Sequence, residues 1–315
     1  MTKSELTCEV KKLALNAGFE KVGIAVAGPS SDGVRLQEWL KKDFHGEMAW
    51  MAKDPEKRSD PTKVFPGVKS ILVVAKNYYV PILHLHGTGK ISRYAWGDDY
   101  HDVVGKKLKL LLGQIKELDS SIDGRCCIDT APIMEKYWAV RAGVGWQGKH
   151  SNVISRDLGS WLFLGEILLN VDLEPDQPHA DYCGTCDRCI RACPTDAIVS
   201  PYVVDSRKCI SYATIEYRGQ DLSPWKDSDF HNWIYGCDIC QDVCPWNEKF
   251  STPTSEKSFE PRLENINQHP EDLSEMSHED FKKRFSKSAV KRTKFSGFVR
   301  NVRQLLSGKH STGGD

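Results

Sequence analysis

Cysteine is the residue type this chain uses most unusually. Of its eleven cysteines, four stand at 183, 186, 189 and 193 in CGTCDRCIRACPTDAI, spaced C-x2-C-x2-C-x3-C with a proline after the last. Four more, Cys209, Cys237, Cys240 and Cys244, form a looser second set. Its end, CQDVCP (240–245), repeats the C-x3-C-P of CIRACP (189–194). Thiolates are soft ligands that select zinc, copper(I) or iron–sulfur clusters. Structural zinc is the plainest alternative, but zinc sites usually place two C-x2-C pairs across a longer loop. Three cysteines at two-residue gaps, followed by two separate C-P signatures, fit that arrangement poorly.

The run is the one by which bacterial ferredoxins bind [4Fe–4S] clusters, with three thiolates on one cubane and the fourth cysteine serving the other. Applied here, that rule assigns Cys183, Cys186, Cys189 and Cys244 to one cluster. It assigns Cys193, Cys209, Cys237 and Cys240 to the second. The second set departs from the simple pattern, because 27 residues separate Cys209 from Cys237. Within this insertion ISYATIEYRG reads as a helix leaving Cys209, which brings Ser211, Glu216 and Arg218 near a cluster. A surface elaboration is the alternative. Cys8, Cys126 and Cys127 are expected to be small packed hydrophobes.

The rest of the chain must position these groups. Its 315 residues suit about two domains. Its 43 basic and 43 acidic residues announce no nucleic-acid binder by totals alone. MTKSELTCEVKKLALNAG reads as an amphipathic helix rather than a signal peptide. The most apolar run, from Trp161, is far shorter than the ~20 residues that span a bilayer. A cytoplasmic chain is therefore expected, with no membrane partner. In that compartment so many cysteines point to a metal or redox site rather than disulfides. Strands are expected at 21–27, 69–78 and 125–129, and helices at 34–42, 102–118 and 133–143. SNVIS (151–155) and WLFLGEILL (161–169) flank turn residues and suggest a hairpin. The stretch 251–272 is polar and linker-like. The tail is helical and basic, with ten Lys or Arg and no acidic residue over 282–309.

Clusters move single electrons. A bare ferredoxin-type carrier would leave the first 170 residues unexplained, so electrons are expected to reach chemistry there. Several strings resemble those of one family, the epoxyqueuosine reductases. They are FHGEMAWMAK (44–53), IDTAPIMEK (128–136), GVGWQGKHSNVI (143–154), GSWLFLGEI (159–167), the cysteine run, CISYATIEYRG (209–219) and IYGCDICQDVCPWN (234–247). The resemblance spans about residues 5–306, in matching order and spacing.

The resemblance implies an α+β fold. A cobalamin-binding catalytic domain related to reductive dehalogenases would cover 1–175, a ferredoxin-like two-cluster module 176–250, and a linker with a short basic helical tail 251–315. It implies reduction of epoxyqueuosine to queuosine in tRNA by cob(I)alamin fed from two [4Fe–4S] clusters. Two electrons and two protons enter, an epoxide becomes an alkene and water leaves. It implies Asp129 as proton donor, its pKa raised by a dry site. Read alone, Asp129 could simply cap the helix that follows. Cobalamin contacts fall on Asp129, Val153, Leu164, Ser211 and Arg218. A further family arginine is matched by Lys53, which keeps the charge without the two-pronged fork. The partners implied are the anticodon stem-loop of a tRNA and a low-potential electron donor, and a monomer is expected. The basic tail, with Phe298 and Val302 on one helical face, is expected to bind phosphates. The rival readings are a dehalogenase-like corrinoid reductase of a small molecule and a plain electron carrier.

Overall fold

Four strands form the central sheet: β1 (Lys21–Val26), β2 (Ser70–Asn77), β3 (Gly124–Cys127) and β4 (Leu162–Leu169). Their order is β1–β2–β4–β3, with every neighbouring pair antiparallel. The computed structural model describes residues 1–226 and 230–310, the last three by backbone alone. β2 is buried along its whole length, and its side chains divide with a period of two. Leu72 and Val74 join Ile24, Ile167 and Leu169 on one face. Ile71, Val73 and Ala75 join Ala25, Cys127 and Leu168 on the other. A strand covered on both faces is apolar throughout, which makes 69–78 the most legible strand in the sequence.

Two helices cover the first face. α1 (Lys3–Asn16) buries Leu6, Val10 and Ala14, and α2 (Tyr100–Leu118) buries Val104, Leu108, Leu111 and Ile115. Spacings of three and four residues put each set on one side. Each fully buried Leu or Ile contributes about 1.5–3 kcal/mol. Thr2 and Glu5 close a capping box at the start of α1. α3 (Glu135–Arg141) covers the opposite face through Trp138 and Ala139. There β1 comes so close that a Cβ on Gly23 would lie 1.9 Å from the Ala142 carbonyl oxygen.

Three expectations are corrected. The hairpin between 151–155 and 161–169 does not form: Val153–Ile154 pairs with Trp146–Gln147, and only a single bridge joins Ser155 to Gly159. β4 instead lies between β2 and β3, where an apolar strand gains a partner on each edge. Cys8 lies exposed on the outer side of α1 rather than packed. The polar stretch after residue 251 is no free linker. The Asn77 side chain donates to Thr252 O, Thr254 N donates to Tyr79 O, and Phe259 enters the first core. It docks through backbone groups and a few scattered side chains, which polar composition does not reveal.

The tail is equally integrated. Phe298 and Val302 are fully buried beside Ile91, Trp96, Ile234 and Tyr235. Trp233–Tyr235, at the end of the insertion, pairs in parallel with Lys90–Ile91. Among the described residues no helix is long and apolar enough to cross a membrane.

Candidate active site

Four short helices organise the cysteines: α4 (Arg188–Arg191), α5 (Ile210–Ile215), α6 (Ile239–Asp242) and α7 (Pro245–Phe250). Cys183, Cys186, Cys189 and Cys244 line one cavity of about 380 Å³, with Tyr182, Trp246 and Phe250. Cys193, Cys209, Cys237 and Cys240 line another of about 330 Å³. Each cavity therefore takes one cysteine from the other repeat. Cys193 follows α4 and Cys244 follows α6, so the two similar turns trade their last cysteines. The thiols ring their cavities: among the described residues no three His, Cys, Asp or Glu side chains could hold a single metal ion.

The second cavity also reaches the first 170 residues. Val153, Leu162 and Leu164 wall it on one side and Ile210, Ser211 and Ile239 on the other, with Lys136, His150 and Asn152 also lining it. His150 Nδ1 accepts from Asn152 N at 3.2 Å, which puts the proton of the neutral ring on Nε2. Burial, and then the charge of Lys136, push the His150 pKa down to about 4. Nε2 is buried without a partner, so its N–H is a donor that a bound group could take up. Apolar walls with a few polar donors suit a flat macrocycle edged with amides.

Asp129 lies just past the end of β3. Its Oδ2 is 2.9 Å from His101 Nε2, and His101 Nδ1 is 2.7 Å from Asp99 Oδ1. The tail closes this line, with Lys291 Nζ 2.8 Å from Asp99 Oδ2. Burial works to lower the His101 pKa, but hydrogen bonds to Asp129 and Asp99 and their charges outweigh it and push it up to about 9. Burial likewise works to raise the Asp129 pKa. The His101 hydrogen bond and charge, with the Tyr100 hydroxyl and Arg292, outweigh it and hold the carboxyl below its ordinary range. The expectation of a raised Asp129 is thereby corrected: its surroundings favour the ionised carboxylate beside a protonated His101. Sequence reasoning missed His101. The signal was Asp99-Tyr100-His101, where Asp99 caps α2 and aims the helix's first turn at the site.

Of the six cofactor contacts expected from the sequence, Val153, Leu164 and Ser211 line the second cavity, and Lys53, Asp129 and Arg218 do not. Lys53 ends the exposed short helix Ala49–Ala52. The Arg218 guanidinium donates to the carbonyls of Ile215, Arg292 and Thr293, tying the insertion to the tail. Arg292 forks onto Glu216 with both bonds at 2.8 Å. Arg300, also in the basic run, is buried and donates to the carbonyls of Ala213, Tyr217 and Gly219. The basic tail thus spends part of its charge inward. Lys282, Lys283, Lys287, Lys294 and Arg303 remain exposed.

Fold and site together define an iron–sulfur oxidoreductase, a double-cluster module set against an α+β layer. The family model for the 4Fe-4S double cluster binding domain matches residues 182–247, and that of "Epoxyqueuosine reductase QueG, DUF1730" matches 58–130. An epoxyqueuosine reductase of Atelocyanobacterium thalassa is 44% identical over 306 residues, covering 96% of this chain and 99% of that one. A crystal structure of epoxyqueuosine reductase with a tRNA-Tyr epoxyqueuosine-modified stem loop superposes with a TM-score of 0.89 at 30% identity, covering 96% of this chain and 81% of the other. The Bacillus subtilis enzyme, solved with its aspartate catalytic loop swung out of the active site, gives 0.88 at 29% identity over the same shares. The chain belongs to the epoxyqueuosine reductase family.

Proposed function

We propose that this chain reduces epoxyqueuosine in tRNA to queuosine, the last step of that modification, in the cytoplasm. The observation that carries the reading is the junction of two kinds of chemistry. A cysteine-ringed cavity meets Val153, Leu164 and Ser211, and a charged His101–Asp129 pair stands on the same domain. Cys183, Cys186, Cys189 and Cys244 would hold one [4Fe–4S] cluster, and Cys193, Cys209, Cys237 and Cys240 the other. Cobalamin, when bound, supplies a reduced cobalt able to act as a two-electron nucleophile. Val153, Leu164 and Ser211 would line its site and His150 would offer it an N–H. Asp129, Lys53 and Arg218 complete the proposed contacts, and Arg218 would have to release three carbonyls to serve there.

The chain's own part is proton delivery and positioning. Conversion of the epoxide to an alkene consumes two electrons and two protons and releases the oxygen as water. Asp129 Oδ2 shares the His101 Nε2 proton and passes it to the departing oxygen, while Asp99 and Lys291 keep the imidazole oriented. Residues 1–175 perform the chemistry, 176–250 carry electrons from a low-potential donor, and 251–315 brace the site of a monomer. The Bacillus subtilis structure motivates a second expectation, that the Asp129 loop also moves. The modified nucleotide has to be splayed from its loop to reach the site. Exposed Lys283, Lys287 and Lys294 would hold phosphates of the anticodon stem-loop.

The test is mass analysis of nucleosides from epoxyqueuosine-containing tRNA after anaerobic incubation with reconstituted protein, cobalamin and a strong reductant. Loss of one oxygen from the modified base is expected. An unchanged base, with iron and corrin both bound, would overturn the reading.

A further inference from the structure

Glu166 lies in the middle of β4, in LFLGEILL, with none of its surface exposed. Strand alternation puts it on the sheet face of Leu164 and Leu168, and it pairs with Cys127 of β3. It therefore sits one pleat deeper than a residue lining the second cavity. Neither of its oxygens receives a hydrogen bond from any described donor. A buried carboxylate so placed takes up a proton rather than remain charged. The helix α3, which opens at Glu135, packs against β4 on this face, and the two carboxyls act on each other there. Two carboxyls can share a hydrogen bond only while one of them keeps a proton. Burial, and then the Glu135 charge, push Glu166 well up; burial, and then the Asp129 charge, push Glu135 up to about 8. Both carboxyls are thus pushed toward the protonated form, and a proton kept between them would let the pair bond.

Glu135 in turn accepts the backbone N–H of Asp129. Asp129 has φ 43°, a left-handed conformation that a non-glycine residue keeps only where its surroundings fix it. The following stretch, 130–134, is irregular, and Met134 at the start of α3 makes no side-chain cap. Ala131 and Ile133 turn the loop with local backbone bonds, and the Glu135 bond is the one that holds the Asp129 N–H itself.

We propose that Glu166 and Glu135 are positioning residues, a buried acid pair that latches the Asp129 backbone so that its carboxylate stays on His101. The inference rests on the reading of Asp129 as the proton-delivering residue. It accounts for a carboxyl in an otherwise apolar strand, which packing alone would disfavour.

Two substitutions separate a latch from a packing role. Glu166→Leu removes both the donor and a buried polar group, so packing alone makes it the better-tolerated change. Glu166→Gln keeps a neutral donor of the same shape. The latch predicts the reverse order in catalysis. Glu166→Leu, with Tm kept or raised, loses kcat by about 10–100-fold at unchanged KM for tRNA, the scale of a misplaced catalytic group. Glu166→Gln retains most of it.

Hydrogen exchange of the backbone amides of residues 128–131 is followed in the cluster-loaded enzyme without substrate. It should speed up in Glu166→Leu and Glu135→Leu, and Glu135→Gln, which still offers an oxygen, should restore protection. Unchanged exchange in both leucine variants would overturn the latch. Faster exchange in both, in a protein whose wild type leaves the tRNA unchanged, would support the latch while sinking the reading of Asp129.

Discussion

The cysteine module and the Asp129 pocket solve opposite problems. The module gathers six of its eight thiols through two short repeated runs, and the two repeated turns exchange one cysteine each to complete two rings. The pocket assembles charge from far apart in the chain: Asp99 and His101 at the start of α2, Asp129 after β3, Glu135 opening α3, Glu166 within β4, Lys291 in the tail. Electrons need wired metal centres close together, and local sequence can supply them. A proton held ready needs opposed charges in a partly dry site, and only a completed fold brings those together. The contrast teaches that the electron-carrying region should tolerate damage to the pocket, and the pocket should survive damage to one cluster.

The largest break is expected from Cys240→Ser. It should remove the second cluster and spare the first, leaving about half the iron and no turnover, as read by metal analysis and product formation. Retention of all the iron would mean that Cys240 is no ligand. Asp129→Asn should come next, with turnover reduced about 10²–10⁴-fold and iron content unchanged.

A pH profile sharpens the pocket's side. His101 stays protonated below about 9, and Asp129 stays ionised through the ordinary carboxylate range before protonating at lower pH. Turnover should therefore hold from mildly acid pH and fall as pH rises through about 9. In Asp129→Asn that fall should move to lower pH, because His101 loses the partner that raises it most. The stability linked to His101 has the same sign: fully present below about 6.5, it is lost as pH rises through about 9. An alkaline fall that stays put in the variant would remove His101 from the pair.

The smallest effect belongs to the tail. Reversing Lys283, Lys287 and Lys294 should weaken tRNA binding several-fold and flatten its salt dependence, with little change in kcat. Lys291 and Arg292 are poor probes, since their ion pairs to Asp99 and Glu216 would confound binding with the pocket's structure.

The cysteine runs were legible because their spacing is a local constraint, and the pairing of the runs followed from the cross-over rule of two-cluster ferredoxins. β2 and α2 were legible because burial on two faces and on one side writes itself into the apolar pattern. His101 was not, since its link to Asp129 crosses 28 positions and exists only once α2 lies beside β3. Glu166 stands in an apolar run, and nothing local shows that Glu135 meets it. The inward turn of Arg300 and the pairing of Arg292 with Glu216 were hidden for the same reason: sequence counts charges, and packing decides which ones face solvent and which find partners. The polar 251–272 stretch misled because it docks through backbone groups, polar side chains and a lone Phe259.

The most direct test of the account sets wild type beside Asp129→Asn, each reconstituted anaerobically and each shown to carry equal iron and equal corrin. Both are given a strong reductant and epoxyqueuosine-containing tRNA, and the deoxygenated nucleoside is counted by mass spectrometry against time. The account predicts ready conversion by wild type and almost none by the variant, electrons in place but the proton undelivered. Equal conversion by the two would contradict it.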